Sequence, residues 1–120
     1  MKSNVLVVNE CAEARVVLAG IVHASGCECR AVGDCATAMR KITVSPPDLV
    51  ILCGQLASCR SEALVTLERL IANHIAIPVI IAGTPKDDDI SRRAMVRVIK
   101  SAIAEAQSRR HTIALRTRAA

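Results

Sequence analysis

A chain of 120 residues is long enough for one domain, expected here across residues 1–120, and too short for two of ordinary size. Its hydrophobic fraction of 52% argues against intrinsic disorder, and the absence of Phe, Trp and Tyr excludes base–aromatic stacking and aromatic cages as ligand-binding chemistry. The net charge of +5 lies in the C-terminal segment, because the charges of residues 1–85 balance while residues 86–120 hold nine Lys or Arg against four Asp or Glu.

Four short apolar runs alternate with three amphipathic segments along residues 5–82. Most of the runs are rich in Val and Ile, which is typical of strands buried on both faces of a parallel sheet. In the segments between them, apolar residues recur with the spacing of an amphipathic helix. The predicted strands cover residues 5–8, 27–32, 49–52 and 77–82, and the predicted helices cover residues 12–25, 35–45 and 61–73.

This alternation predicts right-handed crossovers and helices on both faces of a parallel sheet. We therefore predict a three-layer α/β sandwich around a central parallel sheet of four or five strands. In such sheets, functional residues usually lie at the carboxyl ends of the strands. Those ends hold Asn9-Glu10, Cys53-Gly54 and Gly83-Thr84.

The segment after residue 86 departs from the alternating pattern. Asp87-Asp88-Asp89 would place acidic groups at the positive end of a helix dipole, and a helix can run from about Ile90 to Arg109. Residues 112–115 then form either a fifth, edge strand or part of a basic tail over residues 109–120. Both alternatives remain open at this point.

In this order, the segments resemble the receiver domain of two-component response regulators over roughly residues 4–84. Residues 5–10 are similar to its first strand and acidic pair, and residues 47–53 to the strand that delivers its phosphoacceptor Asp. Residues 77–84 are similar to its fourth strand and hydroxyl residue. The resemblance implies a flavodoxin-like fold. In active members it also implies an Asp nucleophile, Mg²⁺ held by an acidic pair, a Ser or Thr, and a Lys that ends the fifth strand.

The residues at those catalytic positions differ from the family pattern. Asn9 stands at the first acidic position and Cys53 at the nucleophile position, while Gly83 stands at the hydroxyl position with Thr84 beside it. Glu10 is then the carboxylate left as a weak candidate ligand for Mg²⁺, which prefers hard oxygen ligands to a thiol. No strand-Lys-Pro signature follows the fourth strand. We expect the family's last elements to be compressed into one long helix and a tail.

These departures predict a pseudo-receiver that is not an enzyme, uses no cofactor and forms no aspartyl phosphate. The resemblance implies a protein partner: a histidine kinase, another receiver or a regulatory output protein. An exposed sheet edge or apolar patch would favour a homodimer. No apolar run reaches the roughly 20 residues that span a bilayer, and the N-terminus lacks a secretory signal, so we expect a cytoplasmic protein without a membrane partner.

The cysteines suggest an alternative, a thiol-based redox or metal sensor. In a reducing compartment the six Cys are expected to be thiols. Cys11 and Cys53 adjoin strand ends and could form a redox pair, provided that a nearby cation or helix N-terminus lowers a thiol pKa.

The Cys-Glu-Cys at residues 27–29, with His23 and Cys35 nearby, raises the question of a metal site. On a strand, Cys27 and Cys29 would face the same side of the sheet. Two thiols do not complete a structural site, so we interpret them as packing residues.

The basic C-terminus suggests a third function, nucleic-acid binding through Arg109, Arg110, Arg116 and Arg118. Phosphate contacts need only clustered cations. The sequence has neither a helix-turn-helix pattern nor an aromatic platform. We therefore favour a solvated helix end and a flexible basic tail, and do not expect a nucleic-acid partner.

Overall fold

The computed structural model describes residues 2–53, 77–82 and 88–119, and for residues 53, 81, 82 and 109–119 it describes the backbone alone. The strands are β1 (Asn4–Val8), β2 (Glu28–Val32), β3 (Leu49–Cys53) and β4 (Val79–Ala82). The helices are α1 (Ala12–Ala24), α2 (Cys35–Val44) and α3 (Asp89–Ala119). The predicted helix at residues 61–73 lies outside the described residues.

The described strands form one parallel sheet in the order β2-β1-β3-β4. Pairing of Val5 with Leu49 and of Val8 with Leu52 fixes the register of the two central strands. At the amino end of this pair, the Asp48 carboxylate accepts a hydrogen bond of 2.7 Å from the backbone N–H of Asn4. The prediction of a parallel α/β sheet is confirmed, with four strands in the described part of the chain.

The central strands bury both of their faces, since alternate side chains enter two separate cores. The first core joins β1 and β3 to α1 and α3. It contains Val5, Val7, Leu18, Ile21, Val22, Cys27, Leu49, Ile51, Met95, Ile99 and Ile103. The second core joins the same strands to α2 on the opposite face. It contains Leu6, Val8, Val32, Cys35, Ala38, Ile42, Val50 and Leu52. The three layers predicted from the alternation are therefore present.

Local signals fix the ends of the first two helices. Gly26 has φ of 81°, a left-handed conformation that a glycine adopts without strain after the end of α1. Asp34 caps α2 by accepting a hydrogen bond of 2.6 Å from the backbone N–H of Thr37. Hydrogen bonds from the Thr37 backbone and hydroxyl hold the pKa of the Asp34 carboxyl below its usual value.

The C-terminal helix corrects the prediction for the end of the chain. Helix α3 runs without interruption from Asp89 to Ala119, so residues 112–115 are helical and do not form an edge strand. The basic tail stays a prediction. Asp88 caps the helix by accepting a hydrogen bond of 2.7 Å from the backbone N–H of Ser91. No Gly or Pro follows to break the helix. In the described part of the chain, no helix has the length and apolar character to cross a bilayer.

Truncating the core at Leu18 tests the packing of α1 against the sheet. Leu18 is fully buried, and we expect Leu18→Ala to lower the free energy of unfolding by about 2–5 kcal/mol through lost apolar contacts and a cavity. Val16, two residues earlier on the same helix, is 74% exposed. Val16→Ala should therefore change the free energy of unfolding by less than about 0.5 kcal/mol. Chemical denaturation measures the free energy of unfolding of both variants. Equal losses for Leu18→Ala and Val16→Ala would contradict the packing of Leu18 against the sheet.

Candidate functional site

The carboxyl edge of the sheet brings two of the predicted site residues, Asn9 and Cys53, together. Asn9 follows β1, and extending the register from the pair Val8–Leu52 places it beside Cys53, the last residue of β3. Cys53 pairs in turn with Ala82 at the end of β4. Gly83 and Thr84 lie outside the described residues, so the prediction for the hydroxyl position stays a prediction.

Asn9 forms hydrogen bonds with backbone groups at this edge of the sheet. Its side chain is 1% exposed, and its Oδ1 accepts a hydrogen bond of 2.8 Å from the backbone N–H of Cys11, just before α1. Its own N–H donates to the carbonyl oxygen of Val32 over 3.1 Å. Its Nδ2 is buried and has no hydrogen-bond partner among the described residues. Asn9 is therefore an ordered, buried part of the strand–helix junction.

Arg15 reaches the same edge from the first turn of α1. Its Nη1 donates a hydrogen bond of 2.7 Å to the carbonyl oxygen of Asn9. Gly33, which follows β2, leaves room for the guanidinium, because a Cβ at that residue would lie 3.0 Å from Arg15 Nη1. The sequence analysis missed Arg15. The available signal was its position four residues after Cys11, one turn into a helix that starts at the strand end.

This arrangement differs chemically from a magnesium site. Mg²⁺ is held by carboxylate oxygens in octahedral geometry. Here the first acidic position carries a neutral amide whose oxygen is already bound to Cys11, and the guanidinium of Arg15 adds a positive charge beside it. Glu10 is exposed next to this pair. Among the described residues, no three His, Cys, Asp or Glu side chains are grouped so as to hold a metal ion.

The cysteines of residues 27–35 pack on opposite faces of the sheet. Cys27 and Cys29 share the core with α1 and α3, as the strand alternation predicts, whereas Cys35 belongs to the core with α2. His23 is exposed in the last turn of α1. Burial raises the pKa of both the Cys27 and Cys29 thiols, and the Asp48 carboxylate raises that of Cys27 further. These thiols are therefore less available as thiolate than an ordinary cysteine.

Each remaining site prediction includes at least one side chain that is not described. Cys11 is an exposed free thiol at the N-cap of α1. The side chain of Cys53 is outside the description, so the redox pair of Cys11 and Cys53 stays a prediction. Arg109, Arg110, Arg116 and Arg118 lie within α3 by their backbone.

Comparison with known proteins identifies the fold. No protein-family model and no curated protein matches the sequence. The structure of NtrX from Brucella abortus in complex with ADP is similar, with 23% identity, a TM-score of 0.80 and coverage of 99% of this chain and 30% of that chain. The signal receiver domain of an HD domain-containing protein from Pseudomonas fluorescens Pf-5 has 13% identity, a TM-score of 0.67 and coverage of 93% and 99%.

A pseudo-receiver is also among the similar structures. The pseudo-receiver domain of the CikA protein has 22% identity, a TM-score of 0.54 and coverage of 73% of this chain and 75% of that chain. The chain spans less than a third of the length of the NtrX chains that it matches. The chain thus has the receiver fold, and the predicted fold resemblance is confirmed.

The rate of thiol alkylation tests whether Cys11 is more exposed than Cys27. We expect Cys11 to be alkylated rapidly at pH 8, and Cys27 to react many times more slowly because it is buried and its raised pKa keeps it protonated. Because the pKa of Cys27 is raised, its alkylation rate should still be rising at pH values above the ordinary thiol pKa. Mass spectrometry of peptides after timed iodoacetamide labelling measures both sites, with unfolded protein as the control. Equal rates in the folded protein would contradict the assigned burial.

Proposed function

We propose that this chain is a two-component-type signalling module that binds another protein without being phosphorylated at the receiver site. Its receiver fold and its similarity to a signal receiver domain and a pseudo-receiver domain support the signalling assignment. The module is not an enzyme and requires no cofactor in this proposal. Its partner is a histidine kinase, another receiver or a regulatory output protein, which would recognise the surface of the fold instead of a phosphoryl group.

The contacts of Asn9 are the observation that carries the proposal. A metal-binding carboxylate at this position would need oxygen atoms directed to the cation, but Oδ1 of Asn9 is bound to the N–H of Cys11. The guanidinium of Arg15, 2.7 Å from the Asn9 carbonyl oxygen, would repel a divalent cation at close range. A loss of Mg²⁺ binding removes the charge neutralisation on which phosphoryl transfer depends.

The position of Cys53 supports the same conclusion. It ends β3, where a receiver domain carries its phosphoacceptor Asp, and it pairs with Ala82 of the neighbouring strand. A thiol there cannot form an aspartyl phosphate, and it is a poor ligand for Mg²⁺. In our proposal the degenerate positions Asn9, Glu10, Cys53, Gly83 and Thr84 have lost phosphotransfer while the surrounding fold is retained.

Self-association is part of the proposal. Among the described strands, β4 lies at the end of the sheet, and residues 77–80 are half-buried. An apolar edge strand offers unpaired backbone groups to another chain. We propose a homodimer on this basis, as one form of the protein–protein interaction.

Phosphorylation is tested directly by intact mass. After incubation with Mg²⁺ and acetyl phosphate, we expect less than a few per cent of the protein to gain a phosphoryl group, since the carboxylate nucleophile and one carboxylate of the acidic pair are missing. Cys53→Ser is the matched control, because an adduct at the thiol would disappear from that variant. A stoichiometric adduct mapped to Glu10, Cys53 or Thr84 would overturn the proposal.

Partner binding is tested by affinity capture from cells that contain both a tagged and an untagged copy of the chain. We expect a nuclease-resistant protein partner and the untagged copy to be recovered in amounts that Mg²⁺ and acetyl phosphate do not change. Recovery that depends on acetyl phosphate would contradict phosphorylation-independent binding. If the untagged copy is not recovered with the tagged one, the proposed homodimer is contradicted, while the proposed binding of another protein is not.

A further inference from the structure

Helix α1 exposes a face whose centre is apolar. Its exposed residues all lie within an arc of about 120° around the helix, at about 100° per residue. They are Ala12, Glu13, Val16, Gly20, His23 and Ala24. The solvent side of a surface helix usually carries charged and polar side chains throughout. Here Glu13 lies near one end of the face and His23 near the other, and the residues between them are apolar.

Val16 and Gly20 form a projection and a gap at the centre of this face. The Val16 side chain is 74% exposed, and Gly20 follows one turn later on the same side. A Cβ built on Gly20 would meet no atom within 4 Å. The backbone does not require glycine here, since Gly26 is the described glycine with a positive φ, and glycine weakens a helix relative to alanine. The face therefore has room for a side chain from another molecule.

The residues of the face are placed symmetrically about the level of Leu18. Val16 lies two residues before Leu18, and Gly20 lies two residues after it. Glu13 lies five residues before the same level, and His23 five residues after it. If two antiparallel α1 helices cross at this level, Val16 of each copy lies at the level of Gly20 of the other. Glu13 of each copy then lies at the level of His23 of the other.

Both of these contacts join groups that suit each other. The Glu13 carboxylate accepts hydrogen bonds, and an imidazole N–H of His23 donates one whether the ring is neutral or charged. A valine that packs over a glycine leaves water and fills the gap. A two-fold dimer needs a surface that is complementary to itself in this way. A second copy of this chain is therefore the occupant that fits the face.

We propose that two copies of this chain associate through an antiparallel pair of α1 helices. The inference rests on the proposed self-association and gives it a surface separate from β4. Helix α1 contacts β1 and β2, whereas β4 lies at the other end of the described sheet. The contact covers one face of a helix about 20 Å long, which is small for a stable complex. The dimer is therefore weak and reversible, and its fraction rises with protein concentration.

The first test fills the gap at Gly20. Gly20→Gln meets no atom of its own chain near the Cβ, and Gln is a better helix former than Gly. Its melting temperature, measured where the unchanged protein is monomeric, should be equal or higher. Sedimentation equilibrium of the full chain should nevertheless show a dimer dissociation constant raised about ten-fold or more, because the new side chain occupies the space for Val16.

A matched pair of variants separates the face from net charge. Val16→Lys should raise the dimer dissociation constant about ten-fold or more, by placing a charge in the contact. Val44 is 85% exposed at the end of α2, so Val44→Lys adds the same charge away from the face. It should change the constant by less than about two-fold. Equal losses in the two variants would assign the effect to net charge and overturn the inference.

An exchange of side chains tests the antiparallel pairing. His23→Glu places a second carboxylate opposite Glu13 and should weaken the dimer about five-fold or more, although it lowers the net charge of +5 that opposes self-association. Adding Glu13→Lys should return the constant to within about two-fold of the original value. The double variant has the less favourable charges at both ends of the α1 dipole, so greater helix stability would not explain this recovery. Lack of recovery would contradict the pairing.

The sedimentation data also separate this inference from the proposed function. A monomer at every concentration would overturn both the α1 contact and the homodimer through β4, but not the binding of another protein. A dimer that no α1 variant weakens would overturn the α1 contact alone. If Gly20→Gln dimerises normally but loses a different protein in affinity capture, the face binds that protein, and the inference is wrong.

Discussion

The structure depends on the requirement that the two central strands be covered on both faces. β1 and β3 are apolar at successive positions, so their side chains alternate between two cores and neither face can remain in water. Helix α2 covers one face, and α1 and α3 cover the other. Because each connection returns the chain to start another parallel strand, the carboxyl ends of the strands meet at one edge, where Asn9 and Cys53 become neighbours.

At that edge, a neutral amide and a guanidinium lie where the strand β1 meets the helix α1. A carboxylate beside the start of α1 would contribute negative charge for a cation, whereas Asn9 contributes none and uses its oxygen on the N–H of Cys11. The guanidinium of Arg15 can then lie against the Asn9 carbonyl oxygen without a competing metal ion. In the function that we propose, the electrostatics of this edge do not favour Mg²⁺ or phosphoryl transfer.

The C-terminal helix covers part of one face of the sheet. Its first part completes a core through Met95, Ile99 and Ile103, so the helix is anchored by the hydrophobic effect. The same helix carries the excess of basic residues in the C-terminal segment.

The sequence by itself determined the strands, the first two helices, the parallel sheet and the same-face placement of Cys27 and Cys29, because these follow from local periodicity, capping and strand alternation. It also identified Asn9 and Cys53 as the residues at the strand ends. Only the tertiary structure decided that Arg15 lies against Asn9, since this contact needs the space beside Gly33, which follows β2. It also decided that residues 112–115 are helical: short apolar runs fit a strand or a helix equally well, and an anchored helix without a breaker continues through them.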